Sequence, residues 1–546
     1  MEDSTFFVAL LKACAKKKDL YEGIRLHASI VKNGLLETSS YLASSLINMY
    51  AKCGMLIEAR KVLEELAVRN VPSWNALISG YAQQGQVQLA LDSFEQMQRD
   101  GFSPNVVTYT CILKACSKTG SISMGEKIHE VVSRKGLLEE DIILGNTLVD
   151  MYAKCGLLGK AHEVLEELLV RNVVSWNALI AGHVQHGQGH EALICYESMQ
   201  NEGLLPDEVT FICILKACGG IKNAEKGETI HDEILMRGFL EKDIAFGNAL
   251  VDMYVKCGML EKAQLVFEEL PSRNILSWNA LIAGYAQQGQ GCEALNCLAW
   301  MQIEGLSPNA VTYTYILKVC GNIGSIDKGI KIHNKIATRN LLEDDIVLNN
   351  TLMDMYAKCG ELAKARQVLE ELLVRDVVSW NTLVSGYVQQ EEGQNAVDCY
   401  ERMHCEGLIP DSVTLTCILN ACGRMGAFNK GKKIHTEIVS RAFLEKNIVL
   451  GNGLVDMYAN FGMLAKAEQV LKELPVRNIV TWSALIAGYV EHGQCHNAIC
   501  FFERMQFEGF SPDSVTYIYI VKACGNTKNI EKGEQVHDEV VQRGFL

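Results

Sequence analysis

The chain has 546 residues, 48% hydrophobic and 21% charged, with a formal charge of −14 from 51 Lys plus Arg against 65 Asp plus Glu. Such a chain can bury a long core, but its acidic balance is unlike that of a general nucleic-acid binder, and no apolar stretch approaches the roughly 18 residues of a membrane span. Its 20 cysteines include no C-x-x-C, which excludes zinc-ribbon and thioredoxin-like readings and fits a reducing compartment.

The N-terminal MEDSTFFVALLKAC enters a repeat almost at once and lacks the Arg- and Ser-rich, acid-poor character of a transit peptide. The expectation is that targeting information has been removed or that the chain acts where it is made. A partial triplet of units over 4–70 precedes four full triplets, 71–172, 173–274, 275–376 and 377–478, each of 35, 36 and 31 residues; 479–546 is a truncated last one. Trp74, Trp176, Trp278, Trp380 and Trp482 mark the period of 102 residues. A unit that recurs without insertion stacks on its copies to bury its apolar face, so about sixteen units are expected to form one continuous solenoid that works through a surface.

Within a triplet each unit reads as a helical hairpin. In Val173 to Asp207, Ser175 is placed to cap a helix carrying Trp176, Leu179, Ile180 and Val184 at helical spacing, and Gly187-Gln188-Gly189 breaks it. A second helix follows from about His190 to Glu202, with Ala192, Leu193, Tyr196 and Met199 on one side, Gly203 at the C-cap and Pro206 preventing continuation. No β-alternating run competes, so the fold class is all-α. Cys14, Cys116, Cys218, Cys320, Cys422 and Cys524, with Cys53, Cys155, Cys257 and Cys359, recur at equivalent positions and are expected to be packing thiols; Phe461 replaces one of them.

The 35-residue hairpin, its terminal Pro-Asp/Asn, the triplet of lengths and phrases such as NTLVDMYAKCG (146–156) resemble pentatricopeptide repeat proteins of the PLS class of land plants, over essentially the whole chain. The resemblance implies an α-solenoid, a right-handed superhelix of tandem helix-turn-helix repeats with first helices inside, that reads one RNA base per repeat. It assigns base reading to residue five and the last residue of a unit. In the 35-residue units these are Asn75/Asn105, Asn177/Asp207, Asn279/Asn309, Asn381/Asp411 and Ser483/Asp513; in the 31-residue units, Ser44/Asn70, Asn146/Asn172, Asn248/Asn274, Asn350/Asp376 and Asn452/Asn478. All are small and polar, where random helix surface would mix in Lys, Glu and Gln. The competing reading makes them helix-start and cap residues. Of the 36-residue units, Thr110/Asp141, Thr314/Asp345 and Thr416/Asn447 are candidates, whereas Val8, Ile212 and Ile518 cannot hydrogen-bond and mark weak readers or spacers.

An Asp carboxylate only accepts, which suits the ring N–H of uracil or guanine, whereas an Asn amide also donates to the ring nitrogen of cytosine or adenine. Asn at residue five then favours pyrimidines and the shorter Ser or Thr leaves room for purines. Residue two lies on the same helix face; Val174, Leu276, Val378 and Val480, with Pro72 and, in the 31-residue units, Tyr41, Ile143, Ala245, Val347 and Val449, are placed to sandwich a base. Lys114, Lys216 and Lys318, with Lys12 and Lys522, and Lys52, Lys154, Lys256 and Lys358 continue that face as a phosphate-binding stripe, or else as solvated lysines. With acids on second helices and these lysines on first helices, separated charge would reconcile the net −14 with RNA binding.

No catalytic, metal or cofactor constellation is expected. His231-Asp232-Glu233, His435-Thr436-Glu437 and His537-Asp538-Glu539 match H-x-E, but the deaminase signature also needs P-C-x-x-C. Related PLS proteins often continue into a DYW-type cytidine deaminase, whereas this chain stops inside a repeat at QRGFL. The resemblance therefore implies a chloroplast or mitochondrial RNA-binding protein that specifies a transcript for C-to-U editing, with the deaminase in a missing domain or supplied in trans as a partner, and with no membrane or small-molecule substrate. A second reading, a helical-repeat scaffold holding a protein or peptide in its groove, stays open.

Overall fold

The computed structural model describes residues 2–36, 40–66, 68–240, 243–343, 345–441, 443–445 and 447–544, and every regular element among them is helical. Of the 33 α-helices, 32 pair into hairpins; the other, Leu137–Glu140, is a single turn between two of them. None of the described helices is long and apolar enough to cross a membrane. The chain divides into two compact units, Met1–Gly284 and Tyr285–Leu546, each a run of stacked hairpins.

The hairpin over 173–207 shows why the sequence folds this way. Asn172, and not Ser175, caps helix Val173–Gln185: Asn172 Oδ1 accepts the Ser175 N–H and the Asn172 N–H donates to the Ser175 hydroxyl, so two orphan groups of the first turn are satisfied together. Gly187 then takes φ 72°, a left-handed geometry that Gly adopts without strain, and turns the chain into helix Gly189–Asn201. Gly189, expected to break the helix, instead opens the second one: a Cβ there would sit 2.5 Å from Ile221 Cγ2 and 3.0 Å from the Ala217 carbonyl oxygen of the next hairpin.

Stacking proceeds first helix on first helix. A Cβ on Gly182 would come 2.5 Å from Ala153 Cβ in the preceding hairpin; in the second unit Gly386 faces Ala357 and Gly488 faces Ala459 in the same way. The periodic tryptophans are core, at most 4% exposed, and Trp176 Nε1–H donates to Glu202 at 2.9 Å while Trp380 Nε1–H donates to Glu406 at 3.1 Å. The recurrent cysteines pack as small hydrophobes: burial pushes the Cys116, Cys218, Cys320 and Cys422 thiols up to about 11, leaving them protonated and inert. Five histidines on second helices of 36-residue units reach the tyrosine of the next first helix, His27 to Tyr50, His129 to Tyr152, His231 to Tyr254, His333 to Tyr356 and His435 to Tyr458, at 2.8–3.0 Å between Nδ1 and Oη. They are packing contacts, as is the H-x-E phrase around His231 and His435.

Candidate nucleic-acid interface

The last residue of a unit is the N-cap of the next first helix. Asn105, Asn172, Asp207, Asn274, Asn309, Asp376, Asp411, Asn478 and Asp513 each accept the backbone N–H of a Ser or Thr three residues on through Oδ1. Asn70 does the same with Ser73. The cap reading of the sequence is therefore correct for these residues, and it coexists with pairing to residue five. Asn75 Nδ2–H donates to Asn105 Oδ1 at 3.1 Å, Asn177 to Asp207 at 2.8 Å and Asn381 to Asp411 at 3.0 Å. In the 31-residue units the same contact is 3.3 Å for Asn146 and Asn172, 3.5 Å for Asn248 and Asn274, and 3.4 Å for Asn350 and Asp376.

The remaining pairs differ. Ser483 joins Asp513 only through the Thr516 hydroxyl, and Asn452 joins Asn478 through Thr481. Ser44 turns its hydroxyl back to the Tyr41 carbonyl. Asn279 is 6% exposed, like its counterparts. Three 36-residue pairs are not brought together by a hydrogen bond: Thr110, Thr314 and Thr416 donate to their own helix carbonyls at Val106, Ala310 and Ser412, while Asp141, Asp345 and Asn447 are spent as caps. The difference lies three residues past the cap. The 31-residue units carry Leu42, Leu144, Phe246, Leu348 and Leu450 where the first helices of the 35- and 36-residue units from Val71 onward have Ser or Thr.

Asp207 Oδ1 takes the Thr210 N–H and hydroxyl and the Asn177 amide, and at Asp411 the Asn381 amide reaches both carboxylate oxygens, at 3.0 and 3.1 Å. Burial pushes the Asp207 and Asp411 carboxyls up, but the Thr210 or Thr414 N–H, the Asn177 or Asn381 amide and the Thr hydroxyl outweigh it and hold both below the usual carboxylate range. Both stay acceptors at neutral pH.

Beside the pairs stands a row of exposed aliphatic side chains at residue two. Val174, Leu276, Val378 and Val480 are 55–64% exposed, and Ile143, Val347 and Val449 are also exposed. Val107, Val209, Val311, Val413 and Val515, which the sequence reading did not single out, occupy the same place in the 36-residue units; their register alone would have found them. Between Val347 and Val378 lies a cavity of about 280 Å³ lined also by Asn350, Asp376, Asp354 and Lys318. A wider cavity of about 740 Å³ between second helices holds His162 and His183, which already face Glu166 and Gln188.

The lysines divide. Lys114, Lys216 and Lys318 are exposed and make no ion pair with any described residue. Lys154, Lys256 and Lys358 are paired with Asp150, Asp252 and Asp354 one turn back at 2.8, 2.7 and 2.8 Å. First helices thus carry a row of acids that the expected separation of charge overlooked, and three of the nine lysines of the stripe are neutralised.

In each unit, stacked hairpins that present amide, carboxylate and aliphatic groups periodically on first helices define a helical-repeat protein. The PPR repeat family matches residues 69–118, 171–220, 273–322, 375–424 and 477–526, and the PPR repeat matches 42–71, 107–137, 146–173, 248–275, 350–377, 452–479 and 515–545. The chain belongs to the pentatricopeptide repeat family. Among relatives from Arabidopsis thaliana, a chloroplastic pentatricopeptide repeat-containing protein is 34% identical over 98% of this chain and 61% of its own length. Another is 34% identical over 97% of this chain and 77% of its own length, and a mitochondrial one is 32% identical over 97% and 60%. The chain therefore spans about six-tenths of the length of the first and third. The crystal structure of the pentatricopeptide repeat protein PPR10 from maize shares the fold, with a TM-score of 0.61 at 19% identity over 98% of this chain and 88% of that one.

Proposed function

We propose that the chain is a PLS-class pentatricopeptide repeat protein that binds single-stranded RNA by sequence, one base to each 35- or 31-residue unit, and specifies an organellar transcript for C-to-U editing by a deaminase supplied elsewhere. The observation that carries the reading is the cavity between Val347 and Val378: two exposed aliphatic walls from successive units, with a hydrogen-bonding amide and carboxylate, Asn350 and Asp376, beside them. A flat aromatic ring with a polar edge is what such a slot accepts, and of the biological polymers single-stranded nucleic acid offers one per monomer. PPR10 has been solved in complex with an 18-nt psaJ RNA element, and the chloroplastic and mitochondrial relatives support an organellar site of action.

With N-terminal units toward the 5′ end, as in the family, the ten pairs from Ser44/Asn70 to Ser483/Asp513 specify A, Y, Y, U, Y, Y, U, U, Y, G, where Y is a pyrimidine. Bases facing 36-residue units interrupt this after the second, fourth, sixth and eighth. A groove for a peptide would need basic or aromatic clamps where this face has small amides and valines. Selection from a random RNA pool is the test. Enrichment of this pattern is expected; recovery of no common sequence, or of one unrelated to it, would overturn the reading.

A further inference from the structure

The identical pairs Asn146/Asn172, Asn248/Asn274 and Asn452/Asn478 are not held identically. Ser175 Oγ–H reaches Asn146 Oδ1 at 2.6 Å, and Thr481 Oγ1–H reaches Asn452 Oδ1 at 2.8 Å. Ser277 donates only to Asn274 at 3.0 Å, and Asn248 Oδ1 is buried without a hydrogen-bond partner. Asn350 Oδ1 is likewise unpartnered, with Ser379 turned to Asp376. Among the 35-residue units the same hydroxyl reaches residue five from Thr108 to Asn75 at 2.6 Å and from Thr210 to Asn177 at 2.7 Å.

We infer that the Ser or Thr at the third position of the following first helix is a positioning residue that fixes the residue-five amide, so that whether its hydroxyl reaches that amide grades how stringently each unit reads. This rests on the base-reading proposed above and deepens it. The hydroxyl accepts the cap residue's N–H, as in Asn172 N–H to Ser175 Oγ at 3.1 Å, so its one hydrogen goes to the nearer of two acceptors, Asn146 Oδ1 at 2.6 Å, ahead of Asn172 Oδ1 at 3.0 Å. That donation satisfies the inward Oδ1 and leaves Nδ2–H directed at the cap side chain and the base. Where it is absent, a buried carbonyl oxygen gains by rotating toward any donor, and the amide accommodates the wrong base edge.

The comparison of Ser175 with Ser277 separates positioning from structure. Both are fully buried and both bond the cap residue in the same way, so a purely structural role predicts equal effects. Binding of the wild type, Ser175→Ala, Ser175→Thr and Ser277→Ala is measured against RNAs carrying each of the four bases opposite Asn146 or opposite Asn248, with circular dichroism to establish folding. The mismatch penalty opposite Asn146 is expected to exceed that opposite Asn248 by about fivefold. Ser175→Ala brings it down to the Asn248 value, Ser175→Thr restores it, and Ser277→Ala changes nothing at its own base. Equal wild-type penalties at the two positions, or a Ser175→Ala protein that keeps the full penalty, overturn the inference while base reading stands. A wild type indifferent to the base at both positions refutes base reading itself, and the inference with it.

Discussion

Asp207 Oδ1 both caps a helix and anchors the Asn177 amide, and in the proposed reading the same carboxylate accepts the base N–H. Shortening residue five leaves the acceptor and makes room, so Asn177→Ser is expected to shift this unit's preference from U toward G, by an amount within the roughly 1–3 kcal/mol of a matched base contact. Titration against RNAs differing only at that base measures it, and a variant that still prefers U would count against the pairing. The carboxyl is held below its ordinary value of about 3.9, so it is ionised throughout the neutral and mildly acidic range. Preference for U over C at Asp207 and Asp411 should therefore stay flat from about pH 8 down to about pH 5. A preference that titrates near pH 6 would show that another group does the reading.

At the scale of the hairpin, close approach of first helices depends on glycine. Gly182→Val places two methyl groups where a single Cβ already meets Ala153 at 2.5 Å, and overpacking of this kind costs typically about 1–3 kcal/mol; denaturant unfolding should show that loss, with Gly187→Ala, in the open turn, acting only through its positive φ. The His–Tyr contacts add a dependence on acidity. Burial lowers the His231 pKa, against the opposing pull of Asp232, Glu269 and Glu228 and with Lys262 reinforcing it, and its Nε2 is buried without a partner. The unfolded chain therefore takes up the proton first, near pH 6.5, and stability falls as pH drops through that value toward the folded pKa. His231→Gln should flatten that part of the melting profile. The hairpins themselves were legible in the sequence, because Asn172, Gly187 and Gly203 each act within a few residues of where they stand. Gly189 was misread because its reason, Ile221, lies in another hairpin. For the same reason the resemblance that paired Asn177 with Asp207 could not reveal that Thr210 ties them, or that Thr110 and Asp141 would stay apart before Leu144.

Across the whole chain the balance of charge decides how affinity responds to salt. Exposed first-helix lysines with no ion pair to a described residue stand at Lys12, Lys52, Lys114, Lys216, Lys318 and Lys522, whereas Lys154, Lys256 and Lys358 are each matched by an Asp on the same helix. A single strand loses about 0.7 of a counterion per neutralised phosphate, so six contacts give a slope of log K on log salt of about −4, shallow for so long an array. Lys216→Gln should weaken all RNAs alike and reduce the slope by about 0.7, with base preference untouched, whereas Lys154→Gln, which removes a charge already spent on Asp150, should barely move it. The converse change is the sharper test. Replacing Asp150, Asp252 and Asp354 together by Asn frees three lysines without touching a base-reading pair, and is expected to steepen the slope by about 2 while raising affinity for matched and mismatched RNAs in equal proportion. Specificity would then fall in practice, because non-specific sequences compete at concentrations where the native chain ignores them. If the triple variant binds more tightly with an unchanged slope, the freed lysines do not meet phosphates, and the aspartates act on the RNA by some route other than holding those lysines back.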